Sequence, residues 1–205
     1  MISVVKRNGV VEPLNLDKLH RMVEFACDGL AGVSESAIEM NSNLQFYEHI
    51  MTSDIQEILI KSANDLITLE QPNYQYVAAR LLLFSYRKSV YKGHPDNPPP
   101  LIEHIKECIA KGVYDPDLIK QYSEEEWSEL HDFIDWDRDY LFTYAGLRQV
   151  VDKYLVQDRS TGEVFETPQQ MYMLIAATLF QNYPIESRID YVKRYYNSIL
   201  SLIHI

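Results

Sequence analysis

Near the start of the chain, Val4-Val5-Lys6-Arg7 and Val10-Val11-Glu12-Pro13 flank an Asn8-Gly9 pair. Asn-Gly is the strongest short hairpin signal, because both residues tolerate a positive φ and so match the twist of the strands they join. The second run leads straight into Asn15-Leu16-Asp17-Lys18-Leu19, which reads as a helix start with Asn15 as its N-cap. Lys6 and Arg7 stand immediately before the turn. A helix N-terminus offers unpaired N–H groups and a partial positive charge, so cations beside it make a phosphate site. These nineteen residues predict a nucleotide sensor.

The rest of the composition bounds that expectation. At 205 residues the chain has length for one domain or two small ones with a buried core. Its 46% apolar and 24% charged residues are those of an ordinary globular protein. The longest apolar run, Met171 to Phe180, suits a buried helix rather than a membrane span, and the start of the chain has no secretory pattern. The two cysteines, Cys27 and Cys108, have neither disulfide density nor zinc spacing, which points to a reducing, cytoplasmic setting. A net charge of −11 argues against a dedicated nucleic-acid binder but permits a mononucleotide in a locally positive pocket. Fifteen tyrosines are an excess that core or interface use would absorb.

Gly93-His94-Pro95-Asp96-Asn97-Pro98-Pro99-Pro100 is the clearest break, since consecutive prolines cannot continue a helix. It divides the chain into residues 1–92, a linker at 93–100, and residues 101–205. After the hairpin, Leu16, Leu19, Met22, Val23, Ala26, Cys27 and Leu30 form one helical stripe, ended by Gly29 or Gly32. Ser34 or Ser36 opens a shorter helix toward Phe46 and Tyr47. Ser53-x-x-Gln56 resembles a capping box before a third helix reaching Ile67, and Pro72 opens a fourth that runs toward Tyr91. The expected fold is mainly α: a small β-hairpin cap over a four-helix bundle, then a second helical region with one hairpin. That region's helices are expected at Leu101–Lys111, Ser123–Leu130, Asp139–Lys153, Thr167–Gln181 and Glu186–Leu202, with capping boxes at Ser123 and Thr167. Its hairpin pairs Tyr154–Gln157 with Glu163–Phe165 around Thr161-Gly162.

Several groups were weighed for chemistry. Asp132, Asp135, Asp137 and Asp139 alternate like a calcium loop but lack its glycine and terminal glutamate, so a solvated acidic helix entry is the better account. No histidine pair has ligand spacing, and neither a nucleophile elbow nor a phosphate loop occurs. Lys6 and Arg7 alone could be solvated edge charges. Convergence with Glu12, able to accept from a ribose hydroxyl, and with the polar start of the next helix favours binding. No catalytic signature is present, so sensing fits better than catalysis.

Four blocks carry a family resemblance: Lys6-Arg7-Asn8-Gly9, Glu12 to Leu19, Thr52-Ser53-Asp54-Ile55, and Tyr74-Gln75-Tyr76-Val77-Ala78-Ala79-Arg80-Leu81. They resemble an ATP-cone, and more closely the N-terminus of the large subunit of class I ribonucleoside-diphosphate reductases. Asp137-Arg138-Asp139, Tyr144-Ala145-Gly146, Lys153 to Gln157, Thr161-Gly162-Glu163 and Tyr191 to Tyr196 are similar to the helical region before that enzyme's barrel.

The resemblance implies an allosteric site for ATP or dATP, with Mg2+ accompanying the nucleotide. Lys6 and Arg7 would neutralise phosphates, and the turn Glu12, Pro13, Leu14, Asn15, Leu16, Asp17 and Lys18 would wrap the ligand. Thr52 and Lys88 would reach the phosphates, while Leu19 and Phe46 would line the base. It implies no catalytic residue, metal or redox cofactor in this chain, because the radical and redox cysteines belong to the family's barrel. The implied partners are that barrel, on another chain of a split or truncated subunit, and the radical-generating small subunit, in an oligomer. Neither nucleic acid nor membrane is implied; the setting would be a cytoplasm, the host's if the gene is viral. Gln56 and Ser85 stand where well-studied bacterial members carry histidines that help separate dATP from ATP. A stand-alone cone-containing transcription regulator and an effector-blind relic are the alternative readings.

Overall fold

The computed structural model describes residues 2–6 and 8–203, with side chains as far as Ser201. The elements are β1 (Ser3–Val5), β2 (Val11–Pro13), α1 (Leu16–Cys27), α2 (Glu35–Asn43), β3 (Ile50–Met51), α3 (Thr52–Asp65), α4 (Tyr74–Val90), α5 (Leu101–Ala110), α6 (Glu124–Phe133), α7 (Tyr144–Lys153), α8 (Pro168–Phe180) and α9 (Ile185–Ile203). Short 3-10 helices cover Leu118–Gln121 and Trp136–Leu141. The chain is mainly α with a small sheet, as expected. Spatial proximity groups it into two compact units, Met1–Ser85 with Phe142–Arg148, and Tyr86–Leu141 with Gln149–Ile205. The division falls inside α4.

In the first unit the sheet has three strands in the order β2-β1-β3. The hairpin forms, but its turn differs from a two-residue one. Gly9 N–H donates to Lys6 C=O at 2.8 Å and Lys6 N–H donates to Val10 C=O at 2.9 Å, with Gly9 at φ +82°. Of the Asn-Gly pair only the glycine is left-handed; the Asn8 side chain instead accepts from Val10 N–H at 3.2 Å. β3 was not anticipated. It pairs parallel with β1, matching Val4 to Ile50 and Val5 to Met51.

Under the sheet lie Leu19, Val23, Ala26, Ile38, Leu59 and Leu83, all buried. Tyr74, Val77, Ala78 and Ala79 are at most 1% exposed, and the small residues let α4 approach closely. Arg80 on α4 donates to the carbonyls of Ala26 (3.3 Å) and Asp28 (2.7 Å), satisfying the unpaired end of α1. Leu16, expected in the α1 stripe, is 59% exposed because it precedes the first buried turn. The capping box at Ser53 does not form: α3 begins at Thr52, its N-cap position is Met51, and no side chain caps it. Ser53 donates to Asp54 at 3.3 Å instead.

In the second unit α8 is the central helix, buried from Pro168 to Leu174 and again at Ala176 and Ala177. The capping boxes at Ser123 and Thr167 are both present. The predicted hairpin survives as one bridge, Gln157 to Val164, turning at Gly162. The helix expected from Asp139 starts later, at Tyr144, after Thr143 Oγ1 accepts from Gly146 N–H at 3.2 Å.

Asp139 is no solvated entry. It is 1% exposed, accepts from Arg87 Nη2 at 3.1 Å and from Gln169 Nε2 at 2.9 Å. Arg87 also donates to Tyr140 Oη at 2.8 Å and to the Trp136 carbonyl. Tyr196 Oη donates to Gln169 and accepts from Asp135 N–H. Burial pushes the Asp139 carboxyl above its usual range, and the Arg87 guanidinium pulls it back.

Removing one partner leaves a buried charge, so Arg87→Met should destabilise by about 3–5 kcal/mol in urea unfolding. Adding Asp139→Leu to that variant should recover more than half of the loss.

Candidate functional site

Side chains alternate across a strand, so Val4 and Lys6 share a face, and Glu12 joins them as the partner opposite Val4. Val4 is 2% exposed and its other partner Ile50 is 0% exposed, so this face looks into the helices. Lys6 Nζ meets Glu12 Oε2 at 2.8 Å on it, both side chains about two-fifths exposed. Lys6 is therefore not an edge charge turned to solvent. Arg7, its expected companion, lies outside the described residues.

The sheet topology distributes the other expected residues. β2 is antiparallel to β1 and ends with Pro13 opposite Ser3, so α1 starts at that end. β3 is parallel and ends opposite Val5, so α3 starts at the other, near Lys6. Leu14 N–H donates to Ile2 C=O at 2.8 Å, fixing the strand-to-helix turn. Asn15 caps α1, its Oδ1 accepting from Lys18 N–H at 2.9 Å. That leaves the Asn15 amide donors and the exposed Asp17 and Lys18 side chains on the surface of the first turn.

At the opposite end, the first N–H groups of α3 have no side-chain cap, and Thr52 is half-buried among them. Phe46 is half-buried, whereas Leu19 is a core residue. Lys88, exposed in the last turn of α4, belongs to the second unit. Gln56 Nε2 donates to the Leu81 carbonyl at 2.9 Å and so bridges α3 to α4. Sequence reasoning noted Gln56 only as a departure from a pattern. Its reach to a helix carbonyl 25 residues away carries no local signal.

In the second unit, His104, Cys108, Tyr114 and Glu166 meet in a cluster that sequence reasoning also missed. Cys108 Sγ lies 3.6 Å from His104 Nε2, Tyr114 Oη donates to Glu166, and Glu166 accepts from Val156 N–H at 2.9 Å. The composition looks catalytic, but burial drives each group to its neutral form. It pushes the Cys108 thiol up to about 11 and the His104 imidazole down to about 4, and it raises Glu166. Burial likewise takes Cys27 to about 11. Neither thiol is a thiolate at neutral pH, so neither is an activated nucleophile. Among the described residues no cluster of three or more potential metal ligands occurs, and no helix is long and apolar enough to cross a membrane.

Residues 2–89 match the model of the ATP cone domain, and residues 140–205 match that of the ribonucleotide reductase all-alpha domain. The chain joins an ATP cone to the reductase all-alpha domain. Its relatives agree throughout both. It is 49% identical over 197 residues to the ribonucleoside-diphosphate reductase subunit alpha of Haemophilus influenzae, covering 96% of this chain. It is 48% identical over 198 residues to subunit alpha 1 of Escherichia coli, covering 97% of this chain. The subunit alpha of Enterobacteria phage T4 is 39% identical over 201 residues, again covering 97% of this chain. The chain spans 26% of the length of each of these relatives. The cone residues of the hairpin, β2–α1 turn and α3 start all fall inside the matched segment.

Two outcomes follow. Asn15→Ala should lose the α1 cap and about 1 kcal/mol of stability, read by thermal melting. His104 holds its proton only below about pH 4 when folded and near 6.5 when unfolded. The unfolded chain therefore binds the extra proton, and stability present above pH 6.5 falls as pH drops toward 4. The contribution approaches ~1.4 kcal/mol per pH unit, and a His104→Leu variant should show a correspondingly shallower loss across that range.

Proposed function

We propose that this chain is the allosteric N-terminal part of a split or truncated ribonucleoside-diphosphate reductase large subunit. It would support reduction of ribonucleotides to deoxyribonucleotides with a barrel on another chain. The observation that carries this reading is an ATP cone followed in one polypeptide by the reductase all-alpha domain, at 26% of the length of its relatives. Residues 1–92 form the nucleotide-binding domain, 93–100 a proline-rich linker, and 101–205 the helical region. The radical-generating small subunit is the second partner, and the assembly works in the cytoplasm.

The cone binds ATP or dATP with Mg2+. Lys6 and Arg7 meet the phosphates together with Thr52, Lys88 and the uncapped first turn of α3. Before binding, Lys6 is neutralised by Glu12 at 2.8 Å. A phosphate takes over Lys6, and Glu12 is freed to accept from a ribose hydroxyl, so one ion pair exchanges for two charge-assisted contacts. Pro13 to Lys18 shape the turn around the nucleotide; Asn15 donates from its free amide, and Leu16, Leu19 and Phe46 give apolar contact. The nucleotide acts by population shift, moving the subunits between association states only as far as its affinities for those states differ. Gln56 and Ser85 replace the histidines associated with dATP recognition, so ATP and dATP are bound with similar affinity.

Isothermal titration with ATP and with dATP, each with Mg2+, tests this. Both should bind at one site, and Lys6→Ala should weaken each on the order of tenfold or more. Absence of heat from either nucleotide at millimolar concentration would overturn the sensing role.

A further inference from the structure

The tyrosine excess has a local focus. Phe180 at the end of α8, Tyr183 in the following turn, and Tyr191 and Tyr195 on α9 form a continuous ring cluster. Phe180 stacks on Tyr191 at 5.7 Å and 17°, and packs edge-on against Tyr183 at 4.9 Å and Tyr195 at 5.5 Å. Tyr183 and Tyr191 meet at 5.0 Å. Despite these contacts the three tyrosines are 43%, 38% and 36% exposed. Leu179 and Ile175, one turn apart on α8, add 55% and 41% exposed aliphatic side chains.

This cluster is not what holds α8 to α9. Along α9 each exposed tyrosine is followed by a buried residue: Val192 after Tyr191 and Tyr196 after Tyr195, with Leu200 one turn further on, all at most 1% exposed. Those three, against the buried length of α8, complete the pair of helices. Contiguous exposed apolar surface rimmed by polar residues marks an interface, and tyrosine suits one because its body is apolar and its tip wet. The rings also fix one another's positions, so little side-chain freedom remains to be lost on association.

We propose that this corner of α8 and α9 is the seat of the barrel-bearing remainder of a reductase alpha subunit. The inference rests on the split-subunit reading above. The occupant is indicated by length: the relatives carry about three quarters of their chain outside the 26% matched here, and the corner lies on the all-alpha domain at 140–205. A second copy of this chain is the less suited occupant, since two bodies of net charge −11 repel.

The full chain is mixed with a polypeptide comprising the unmatched three quarters of the Haemophilus influenzae relative, shown by its own melt to be folded, and followed by sedimentation velocity. The chain should bind it. Tyr191→Ser/Tyr195→Ser should weaken that binding on the order of thirtyfold while leaving the melt and ATP binding intact. Leu69→Ser, at a 96% exposed apolar residue of the first unit, should change nothing. Hydrogen exchange on the unsubstituted chain should show the corner protected on mixing, which needs no variant. Equal binding by the double variant without protection of the corner overturns the site but leaves the split-subunit reading standing. No binding by the unsubstituted chain overturns both. Self-association of this chain that the double variant abolishes assigns the corner to a second copy and also overturns the proposal.

Discussion

A carboxylate 1% exposed inside a helical unit exists only because a guanidinium and an amide reach it, and much of the second unit is arranged around that requirement. Arg87 supplies the charge from the end of α4, Gln169 the amide from the first turn of α8, and Tyr196 holds Gln169 from α9. The 3-10 stretch Trp136–Leu141 exists in that form because it must offer both the Asp139 carboxylate and the Trp136 carbonyl to one arginine. Apolar residues could pack these helices as tightly. They would not select a single register, since only one set of donors and acceptors satisfies every buried polar atom.

The first unit solves a different problem with less material. Its strands are two or three residues long, too short to be stable as a hairpin alone. β3 makes the sheet viable by pairing parallel to β1 and covering its second edge, and Val4 and Ile50 then anchor it to the helices. The same pairing has a chemical consequence. An antiparallel neighbour on one side and a parallel one on the other send the following helices off opposite ends of the sheet, so α3 starts beside Lys6 while α1 starts beside Ser3. The placement of cations and helix starts is thus a product of topology.

Features set by near neighbours were legible in the sequence. The boxes at Ser123 and Thr167, the Asn15 cap and the turns at Gly9 and Gly162 each depend on residues within four positions. Features set by distant partners were not. β3 is two residues long and exists through pairing with a strand 46 positions earlier. Asp139 reads as solvated because its neighbours Asp135 and Asp137 are exposed, and its arginine lies 52 positions away. Ser53 carries a capping-box pattern, but β3 hands over to α3 one residue too early for that box to close. At the candidate site the residue types were readable, whereas the Lys6–Glu12 pairing on the inner face depends on strand register.

That register explains how a chain of net charge −11 can be suited to a polyanion. A bare lysine cluster in such a field would draw its own surface acids and lose its geometry. Lys6 instead is held at 2.8 Å by one chosen carboxylate, placed opposite it by the β1–β2 pairing. A phosphate arriving there does not have to overcome bulk charge; it has to outcompete one carboxylate that is itself two-fifths exposed and free to swing to another donor. Screening by water keeps the Lys6–Glu12 pair weak, on the order of 1 kcal/mol or less, so exchange costs little. The specificity then lies in what Glu12 can do once released, and a ribose hydroxyl within its reach is what separates a nucleotide from inorganic phosphate.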